Sequence, residues 1–315
     1  MKIAFIFPGQ GSQAVGMGAD LCRGFSEARQ SYEEASAVLG FDVAKLSFEG
    51  PKEELDSTVN TQPCLLAAEY AAYRVLMREG VKPDLLAGHS LGEYTAVVAS
   101  GALSFSSALR ITRMRAKLMQ EAVPEGMGLM AAILGLSAEA VDEICAGLKS
   151  GYAGAANYNC PGQIVISGEA AAVRECMDTA KERGAKRAIA LQVSVPSHSR
   201  LMEGPAKKLA EFLFLEARIK PPVIPVIGNA DAIVLSAPDG LRAALVRQLS
   251  NPVRWEESMK VMQSEGAGVF IEVGPGKVLS GLLKRTLPGA ASFNVEDTAS
   301  LQKTLEGLAS LGVSK

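Results

Sequence analysis

The segment Gly88-His89-Ser90-Leu91-Gly92 has the residue types and spacing of a nucleophilic serine turn. In the pattern G-x-S-x-G, the serine lies on a tight turn between a strand and a helix. Its Oγ is then exposed, and the next backbone N–H faces the reacting carbonyl oxygen. Residues 85–87 form a short apolar run before the turn, and residues 93–98 continue as a helix. This context favours a serine nucleophile over a glycine-rich turn with an idle serine.

A serine nucleophile needs a base, and the chain has only two histidines, His89 and His198. His89 directly precedes the serine, where consecutive side chains point apart, so we interpret it as a buried, hydrogen-bonded structural histidine. His198 is therefore the expected general base. The third member of a triad stays open, since a backbone carbonyl could orient the histidine in place of an acid. The acidic residues between the serine and the histidine are expected on solvated helix faces: Asp142, Glu143, Glu169, Glu175 and Asp178.

Arg115 lies in a predicted amphipathic helix, Ser106–Glu121, at the edge of its apolar stripe. One interpretation is a surface arginine that lays its apolar stem along the stripe. The other is a guanidinium fork that grips a substrate carboxylate with two parallel hydrogen bonds. The pattern alone leaves both interpretations open.

Short apolar strands alternate with helices over the first 120 residues, which predicts a parallel sheet with helices on both faces. The alternation includes a strand at Lys2–Phe7, a helix at Ser26–Leu39 and a helix at Cys64–Arg78 that begins directly after Pro63. From Leu129 to Val193 the predicted order is βαββαβ, the ferredoxin-like split unit.

The predicted fold class is therefore α/β, with a small ferredoxin-like subdomain inserted into a larger α/β domain. We expect the inserted subdomain at 125–198 and the larger domain at 1–124 and 199–315. A cleft between the two is a natural place for a site.

The composition excludes several classes of partner and site. The 315 residues carry a formal net charge of −2 with no basic stripe, so nucleic acid is a poor candidate partner. Five cysteines without a CxxC pair and two histidines make a zinc site hard to build, and reduced thiols suit a cytoplasmic protein. The first apolar run has five residues, whereas a signal peptide needs ~7–15 and a membrane helix ~20. Neither a leader nor a membrane anchor is expected.

Eight segments together resemble the malonyl-CoA:acyl-carrier-protein transacylases, the malonyltransferases of fatty-acid synthesis. They follow the family order from one end of the chain to the other. The resemblance implies a hydrolase-like α/β core with a parallel sheet and the ferredoxin-like insertion. The segments are FPGQGSQ at 7–13, TQP at 61–63, GHSLGEY at 88–94, RMRAKLMQEA at 113–122, NYNCPGQIVISG at 157–168, SVPSHSRLM at 194–202, QLSNPVRW at 248–255 and EVGPG at 272–276.

The resemblance implies a role for each matching catalytic position. Ser90 would form a malonyl ester, with His198 as its general base and acid. The backbone N–H groups of Gln10 and Leu91 would form the oxyanion hole. Arg115 would bind the free malonyl carboxylate and so decide which acyl group is accepted.

The resemblance also implies positions around the catalytic pair. Gln248 would orient His198 through its main-chain carbonyl, and Asn157, Ser197 and Met119 would line the pocket. Cys160 stands where the family often has serine, which we interpret as a neutral change. The expected reaction needs no cofactor beyond the CoA thioester that is its substrate, and no metal.

The implied partners are malonyl-CoA and an acidic acyl carrier protein, with a monomeric enzyme. The pairs Lys186-Arg187 and Lys284-Arg285 are candidates for a basic docking patch. Alternatives are a trans-acting acyltransferase of a polyketide pathway, a serine hydrolase or thioesterase on the same elbow, and a non-catalytic carrier-protein docking module.

The turn at 8–14, PGQGSQA, has the glycine spacing of a dinucleotide-binding unit. Such a unit needs an acidic residue about 20 positions later, at the end of a second strand. That distance falls on Glu33-Glu34, inside a predicted helix. A pyrophosphate is therefore not expected at this turn, and the resemblance implies that the turn holds a transient oxyanion through the Gln10 amide.

Overall fold

Two β-sheets of different type organise the chain, which the computed structural model describes over residues 1–124, 126–191 and 195–312. The larger sheet has six strands and is parallel except for the antiparallel pair at one edge. In order across the sheet, its strands are β10 (Ala291–Val295), β9 (Ala267–Val273), β1 (Lys2–Phe7), β2 (Leu85–Gly88), β7 (Val226–Ile227) and β8 (Val234–Leu235).

Strand β1 lies inside this sheet because five of its six residues are buried on one or the other face. Phe5 and Phe7 enter the core on one side of the sheet, while Ala4 and Ile6 enter the core on the other side. A strand that is apolar on both faces is typical of a parallel sheet covered by helices on both sides.

Fourteen α-helices lie in the described residues; some of them pack on the two sheets, and the others pack on neighbouring helices. None of them combines the length and the apolar character that a membrane crossing demands. The helices are α1 (Ala19–Gly24), α2 (Ser26–Leu39), α3 (Val43–Glu49), α4 (Lys52–Asp56), α5 (Thr58–Arg78), α6 (Gly92–Ala99), α7 (Phe105–Ala122), α8 (Ala138–Ala146), α9 (Ala170–Glu182), α10 (Glu203–Glu216), α11 (Pro238–Arg247), α12 (Trp255–Ser264), α13 (Val278–Thr286) and α14 (Thr298–Ser310).

The predicted start of the long helix at Cys64 is wrong, since α5 begins at Thr58 and contains Pro63. The backbone N–H groups of Asn60 and Thr61 donate to the Ser57 carbonyl and close a turn ahead of the proline. Tertiary packing therefore adds a turn that the preference of proline for the first helical position does not predict.

The smaller sheet is antiparallel, with β3 (Gly128–Leu134), β4 (Ala153–Cys160), β5 (Gln163–Glu169) and β6 (Arg187–Ala190) in the order β4-β5-β3-β6. Helices α8 and α9 pack against it, which completes the βαββαβ order and confirms the predicted fold class. Strand β6 ends at Ala190. The Gln192–Val193 end of the predicted strand lies outside the described residues, as do Ser194 and Glu125. The boundaries 125–198 stay a prediction.

Backbone hydrogen bonds join the smaller sheet to the segment between α11 and α12. The N–H of Tyr158 donates to the Val253 carbonyl, and the N–H of Val253 donates to the Ala156 carbonyl. Strand β4 is therefore held directly beside the segment that follows α11. The sheet β4-β5-β3-β6 forms one wall of the cavity described next.

Candidate active site

The turn at Ser90 is a strained elbow at the carboxyl end of β2. Ser90 has φ +51°, in the left-handed region that favours glycine. A Cβ on Gly88 would lie 1.9 Å from the carbonyl carbon and oxygen of Gly92, and one on Gly92 would lie 2.2 Å from the Phe7 oxygen. Both positions therefore need glycine, and the spacing G-x-S-x-G is a packing requirement here.

Asn229 holds the backbone of this elbow from the neighbouring strand. Its Oδ1 accepts the Ser90 N–H at 2.7 Å, and its Nδ2 donates to the Gly88 carbonyl at 2.7 Å. Asn229 was not among the residues predicted from the sequence. The available signal was its place two residues after the buried strand β7, which pairs with β2 in parallel.

The predicted catalytic pair is in hydrogen-bond contact. The Oγ of Ser90 lies 2.7 Å from Nε2 of His198, and Nδ1 of His198 lies 2.7 Å from the main-chain oxygen of Gln248. A carbonyl can only accept, so Nδ1 carries the proton and Nε2 offers its lone pair to the serine hydroxyl. This tautomer is the one that a general base needs. The backbone of His198, like that of Ser90, lies in the left-handed region, with φ +58°.

The protonation of His198 is set by its surroundings. Burial, and then the positive charge of Arg115, lower the pKa of His198 to about 3. The imidazole is therefore neutral and able to accept a proton at any ordinary working pH.

None of the five acidic candidates in the described residues contacts His198, so the open triad position is filled by the Gln248 carbonyl. Four of them have other partners: Asp142 accepts from Tyr158, Glu143 pairs with Arg183, Glu175 accepts from Ser150, and Asp178 pairs with Lys181.

Arg115 is buried, with 1% of its surface exposed, so the surface interpretation is wrong. Its Nη1 donates to Oε1 of Gln62 at 2.7 Å, and its Nη2 donates to Oε1 of Gln248 at 3.0 Å and to Oγ of Ser90 at 3.2 Å. Its Nε has no hydrogen-bond partner within the described residues. The guanidinium is therefore held by uncharged groups beside the serine, without a carboxylate in contact.

The helix pattern placed Arg115 at the edge of a stripe and could not show what covers it. The guanidinium lies over the Tyr94 ring, 5.5 Å from its centroid, and Gln62 reaches it from α5. Gln62 belongs to the segment TQP at 61–63, which is one of the matching segments. Its contact with Arg115 was not predicted.

The predicted oxyanion donors Gln10 and Leu91 lie on two adjoining turns. Strands β1 and β2 pair in register with Phe7 opposite Gly88, so the turns that follow them meet at one edge of the sheet. Within the described residues, neither the Gln10 N–H nor the Leu91 N–H donates to a protein acceptor. Both residues line the cavity at Ser90, so two backbone donors are free beside the nucleophile.

A cavity of about 430 Å³ lies between the two sheets and contains the serine, the histidine and the arginine. Met119, Asn157 and Ser197, the predicted lining residues, all border it, and Met130 of β3 adds to its roof. Gln248 is the predicted site residue that does not border the cavity. It lies behind it, where its side chain and main chain contact Arg115 and His198.

His89 is half-buried and borders the same cavity, but its ring partners lie outside the catalytic pair, as expected for a structural histidine. Its Nε2 is 2.9 Å from Oδ1 of Asn159, and its ring meets the Trp255 ring edge-on at 5.4 Å. Its backbone oxygen would lie 2.6 Å from a Cβ on Gly9, so the glycine turn of β1 approaches the elbow closely.

Three of the four side chains in the two predicted basic pairs border another cavity, and Lys284 does not border it. Lys186, Arg187 and Arg285 border a surface cavity of about 420 Å³ at the 161–163 turn of the smaller sheet. Arg285 is partly occupied there, because it donates to Oε1 of Gln163 at 2.9 Å and to the Pro161 carbonyl at 2.8 Å. None of the four charged side chains lines the cavity at Ser90.

Comparisons with known proteins agree with this architecture over almost the whole chain. A model of the acyl transferase domain matches residues 4–310. The malonyl CoA-acyl carrier protein transacylase of Haemophilus influenzae is 47% identical, covering 98% of this chain and 99% of its own. The protein of the same name from Bacillus subtilis is 46% identical, covering 98% and 97%.

Solved structures give the same result. An acyl carrier protein S-malonyltransferase from Vibrio cholerae is 46% identical and aligns with a TM-score of 0.94, over 96% of this chain and 100% of that one. The transacylase PlMCAT, in complex with the type II PKS acyl-carrier protein AntF, is 47% identical and aligns with a TM-score of 0.95 over 98% and 100%. The chain therefore belongs to the acyl transferase domain family and, within it, to the malonyl CoA-acyl carrier protein transacylases.

Proposed function

We propose that the chain transfers the malonyl group of malonyl-CoA to the phosphopantetheine thiol of an acyl carrier protein through an ester on Ser90. The observation that carries this proposal is the buried guanidinium of Arg115, whose Nη2 lies 3.2 Å from the Ser90 Oγ. A hydrolase needs only the serine and its base. A buried cation beside the nucleophile suits an acyl group that carries its own carboxylate.

In the first half-reaction, the Ser90 Oγ attacks the thioester carbonyl while its proton moves to Nε2 of His198. The backbone N–H groups of Gln10 and Leu91 stabilise the oxyanion, and one such donor is worth ~3–4 kcal/mol in similar sites. Collapse of the intermediate breaks the carbon–sulfur bond, and the CoA sulfur takes the proton from Nε2. The products are CoA and a malonyl ester of Ser90.

In the second half-reaction, His198 removes the proton of the carrier thiol, whose sulfur attacks the ester carbonyl. The same two N–H groups hold the second oxyanion. Its collapse returns the proton from Nε2 to the leaving Ser90 oxygen, so the enzyme ends unchanged, as ping-pong kinetics require.

Arg115 accounts for acyl selectivity in this proposal. Its hydrogen-bond acceptors in the described residues are neutral oxygens, so its charge is free to pair with the malonyl carboxylate. An acetyl group would leave the buried guanidinium without an anion. A site built for a charged group rejects analogues without it more strongly than a purely steric pocket does.

The partner in this proposal is the carrier protein of fatty-acid synthesis, and Lys186, Arg187 and Arg285 are its candidate contacts. Their clustering at one surface cavity supports a basic patch in a chain of net charge −2. A monomeric enzyme and a cytoplasmic location belong to the same proposal. A carrier protein of polyketide synthesis is the alternative acceptor in the experiment.

The test is incubation with malonyl-CoA, with and without each holo carrier protein, followed by mass spectrometry of both proteins. We expect a malonyl adduct on the peptide containing Ser90, and its transfer to the fatty-acid carrier. Ser90→Ala should form no adduct. Release of free malonate without transfer would instead indicate a hydrolase, and an adduct on a cysteine would refute the serine mechanism.

A further inference from the structure

Glu93 is a fully buried acid in the first turn of α6, three residues after the nucleophile. Its Oε2 accepts a hydrogen bond from Nε2 of Gln248 at 2.7 Å, and its Oε1 accepts from the backbone N–H of Asn229 at 3.3 Å. Each carboxylate oxygen therefore anchors one residue that contacts the catalytic serine.

The contacts of Gln248 fix the orientation of its side-chain amide. Its Nε2 donates to two acceptors, the Ser90 carbonyl at 2.6 Å and the Glu93 carboxylate at 2.7 Å. Its Oε1 accepts from Nη2 of Arg115 at 3.0 Å. A flipped amide would put its NH₂ against the guanidinium and its oxygen against two acceptors, so only one orientation satisfies the network.

The network runs from an acid to a cation through a single neutral amide. Glu93 accepts a hydrogen bond from the Gln248 amide nitrogen. The Gln248 amide oxygen therefore points in the opposite direction, where it accepts from Arg115. Because Nη2 also lies 3.2 Å from the Ser90 Oγ, the position of the Gln248 amide determines where the guanidinium meets the acyl group.

We propose that Glu93 is a positioning residue for acyl selectivity, whose carboxylate keeps the Gln248 amide oxygen towards Arg115 and so aims the guanidinium at the bound acyl group. The inference rests on the proposed transfer of malonyl. It assigns to Glu93 no contact with substrate.

The role requires Glu93 to be a carboxylate, because a neutral carboxyl gives no charge to its hydrogen bond with Gln248 and turns its one O–H towards a donor, either Gln248 Nε2 or the Asn229 N–H. Burial raises the pKa of Glu93 to about 7, while the hydrogen bonds from Gln248 and Asn229 lower it. Two charged groups act on it from other elements. Arg115 of α7 lowers its pKa, and Asp231, between β7 and β8 and paired with Arg247 of α11, raises it.

The test compares transfer from malonyl-CoA and from acetyl-CoA in wild type and in Glu93→Gln. The introduced amide has one acceptor oxygen and no charge, so the hydrogen bond that fixes the Gln248 amide is lost if the new NH₂ faces Gln248, and it loses its charge assistance if the NH₂ faces Asn229. We expect the ratio of kcat/KM for malonyl-CoA to that for acetyl-CoA to fall about tenfold or more.

Glu69→Gln is the matched control, because it makes the same exchange at a carboxyl that is equally buried. Glu69, on α5, accepts a hydrogen bond from Thr95 of α6, the helix that carries Glu93, and has no hydrogen bond to Gln248. We expect it to keep the wild-type ratio. In a Ser90→Ala background, calorimetry should show that Glu93→Gln weakens malonyl-CoA binding and leaves acetyl-CoA binding unchanged.

A pH series provides a readout that general damage to the fold would not give. As the pH falls from 8 to 6, Glu93 gains a proton while Arg115 stays charged, so the malonyl-to-acetyl ratio of the wild type should fall. In Glu93→Gln the ratio should not change over this range. This wild-type measurement also tests the inference if Glu93→Gln does not fold.

Gln248→Leu gives an independent arm, since it removes the amide and keeps the main-chain carbonyl that holds His198. Its loss of selectivity should not add to that of Glu93→Gln in the double variant. Equal losses for both substrates, or additive losses, would overturn the positioning role. A wild type that transfers no malonyl would refute the proposed function itself, whereas an active wild type with an unaffected Glu93→Gln ratio would refute only this inference.

Discussion

The Nδ1 atom of His198 lies 2.7 Å from the main-chain oxygen of Gln248, in the place that a carboxylate occupies in a serine hydrolase triad. A carbonyl fixes the tautomer of the imidazole as a carboxylate does, but it brings no negative charge to stabilise the imidazolium. Burial, and then the charge of Arg115, depress the pKa of His198 to about 3, and the hydrogen bond to the Gln248 carbonyl raises it too little to offset them.

The first prediction concerns the acid limb of the pH–rate profile. A histidine with a depressed pKa stays unprotonated as the pH falls. The kcat/KM for acetyl transfer by the wild type should therefore not decrease near pH 6.5, where an ordinary histidine gains its proton. In Arg115→Ala, removal of the neighbouring charge should raise the pKa of His198 and move the acid limb of kcat/KM to higher pH. Burial, the larger cause, remains in the variant, so the limb should stay below pH 6.5.

Acetyl-CoA is the substrate for this measurement, because the pairing of Arg115 with malonyl then does not enter the profile. An unchanged acid limb in Arg115→Ala would show that the arginine charge does not act on His198.

The second prediction concerns the same residue and the choice of acyl group. Arg115→Ala should lose malonyl transfer by about two to four orders of magnitude, since a charged hydrogen bond is worth about 1.5–3 kcal/mol and two are lost. Acetyl transfer should rise, because the variant no longer buries an unpaired cation beside an acyl group without charge. Steady-state kinetics with both thioesters measure the switch, and equal losses for both would assign Arg115 a structural role only.

Much of the site could be predicted from the sequence, because its signals are local. The elbow is a five-residue pattern between a strand and a helix, and a chain with two histidines leaves few choices for its base. Strand β1 and helix α2 also have the predicted bounds, since continuous apolar runs and amphipathic spacing are short-range signals.

Two residues that support the site, Asn229 and Glu93, were not predicted, because their partners are far away in the sequence. Asn229 bonds to the elbow across 139 positions, and Glu93 bonds to Gln248 across 155. Nothing in the local sequence distinguishes these amide and acid side chains from others, because their contacts form only in the folded chain. The burial of Arg115 was missed for the same reason, as Gln62 reaches it from another helix.

The third prediction concerns carrier-protein docking. Replacing Lys186 and Arg187 by glutamate should raise the KM for the carrier protein about tenfold, because rim charges mainly steer encounter and add modest affinity. Acylation of Ser90 by malonyl-CoA alone should be unchanged, since neither side chain lines its cavity. Stopped-flow acylation and steady-state transfer separate the two effects.

The control is the exposed pair Lys207-Lys208 on α10, replaced by glutamate in the same way. Both variants change the net charge by the same amount, so a similar rise in KM for the two would indicate general charge repulsion and not a docking patch.

The fourth prediction concerns stability and pH through Glu69. This carboxyl is fully buried, its Oε2 accepts a hydrogen bond from Thr95, and its Oε1 has no partner within the described residues. Burial, reinforced by the charge of Glu272, raises the pKa of Glu69 well above its usual 4.5, so the folded state holds a proton there that the unfolded chain releases.

The sign of the linkage follows from that proton. Above pH 4.5 the unfolded state binds fewer protons than the folded state, so the free energy of unfolding falls as the pH rises towards the folded pKa. The slope for one proton is about 1.4 kcal/mol per pH unit. Glu69→Gln keeps an acceptor for Thr95 and removes the titration. Its free energy of unfolding should therefore exceed that of the wild type at pH 8, and by a smaller difference at pH 5. Glu93 and Glu272 titrate in both proteins, so the difference between their urea unfolding curves isolates Glu69, and a difference that does not vary with pH would show that Glu69 is ionised in the fold.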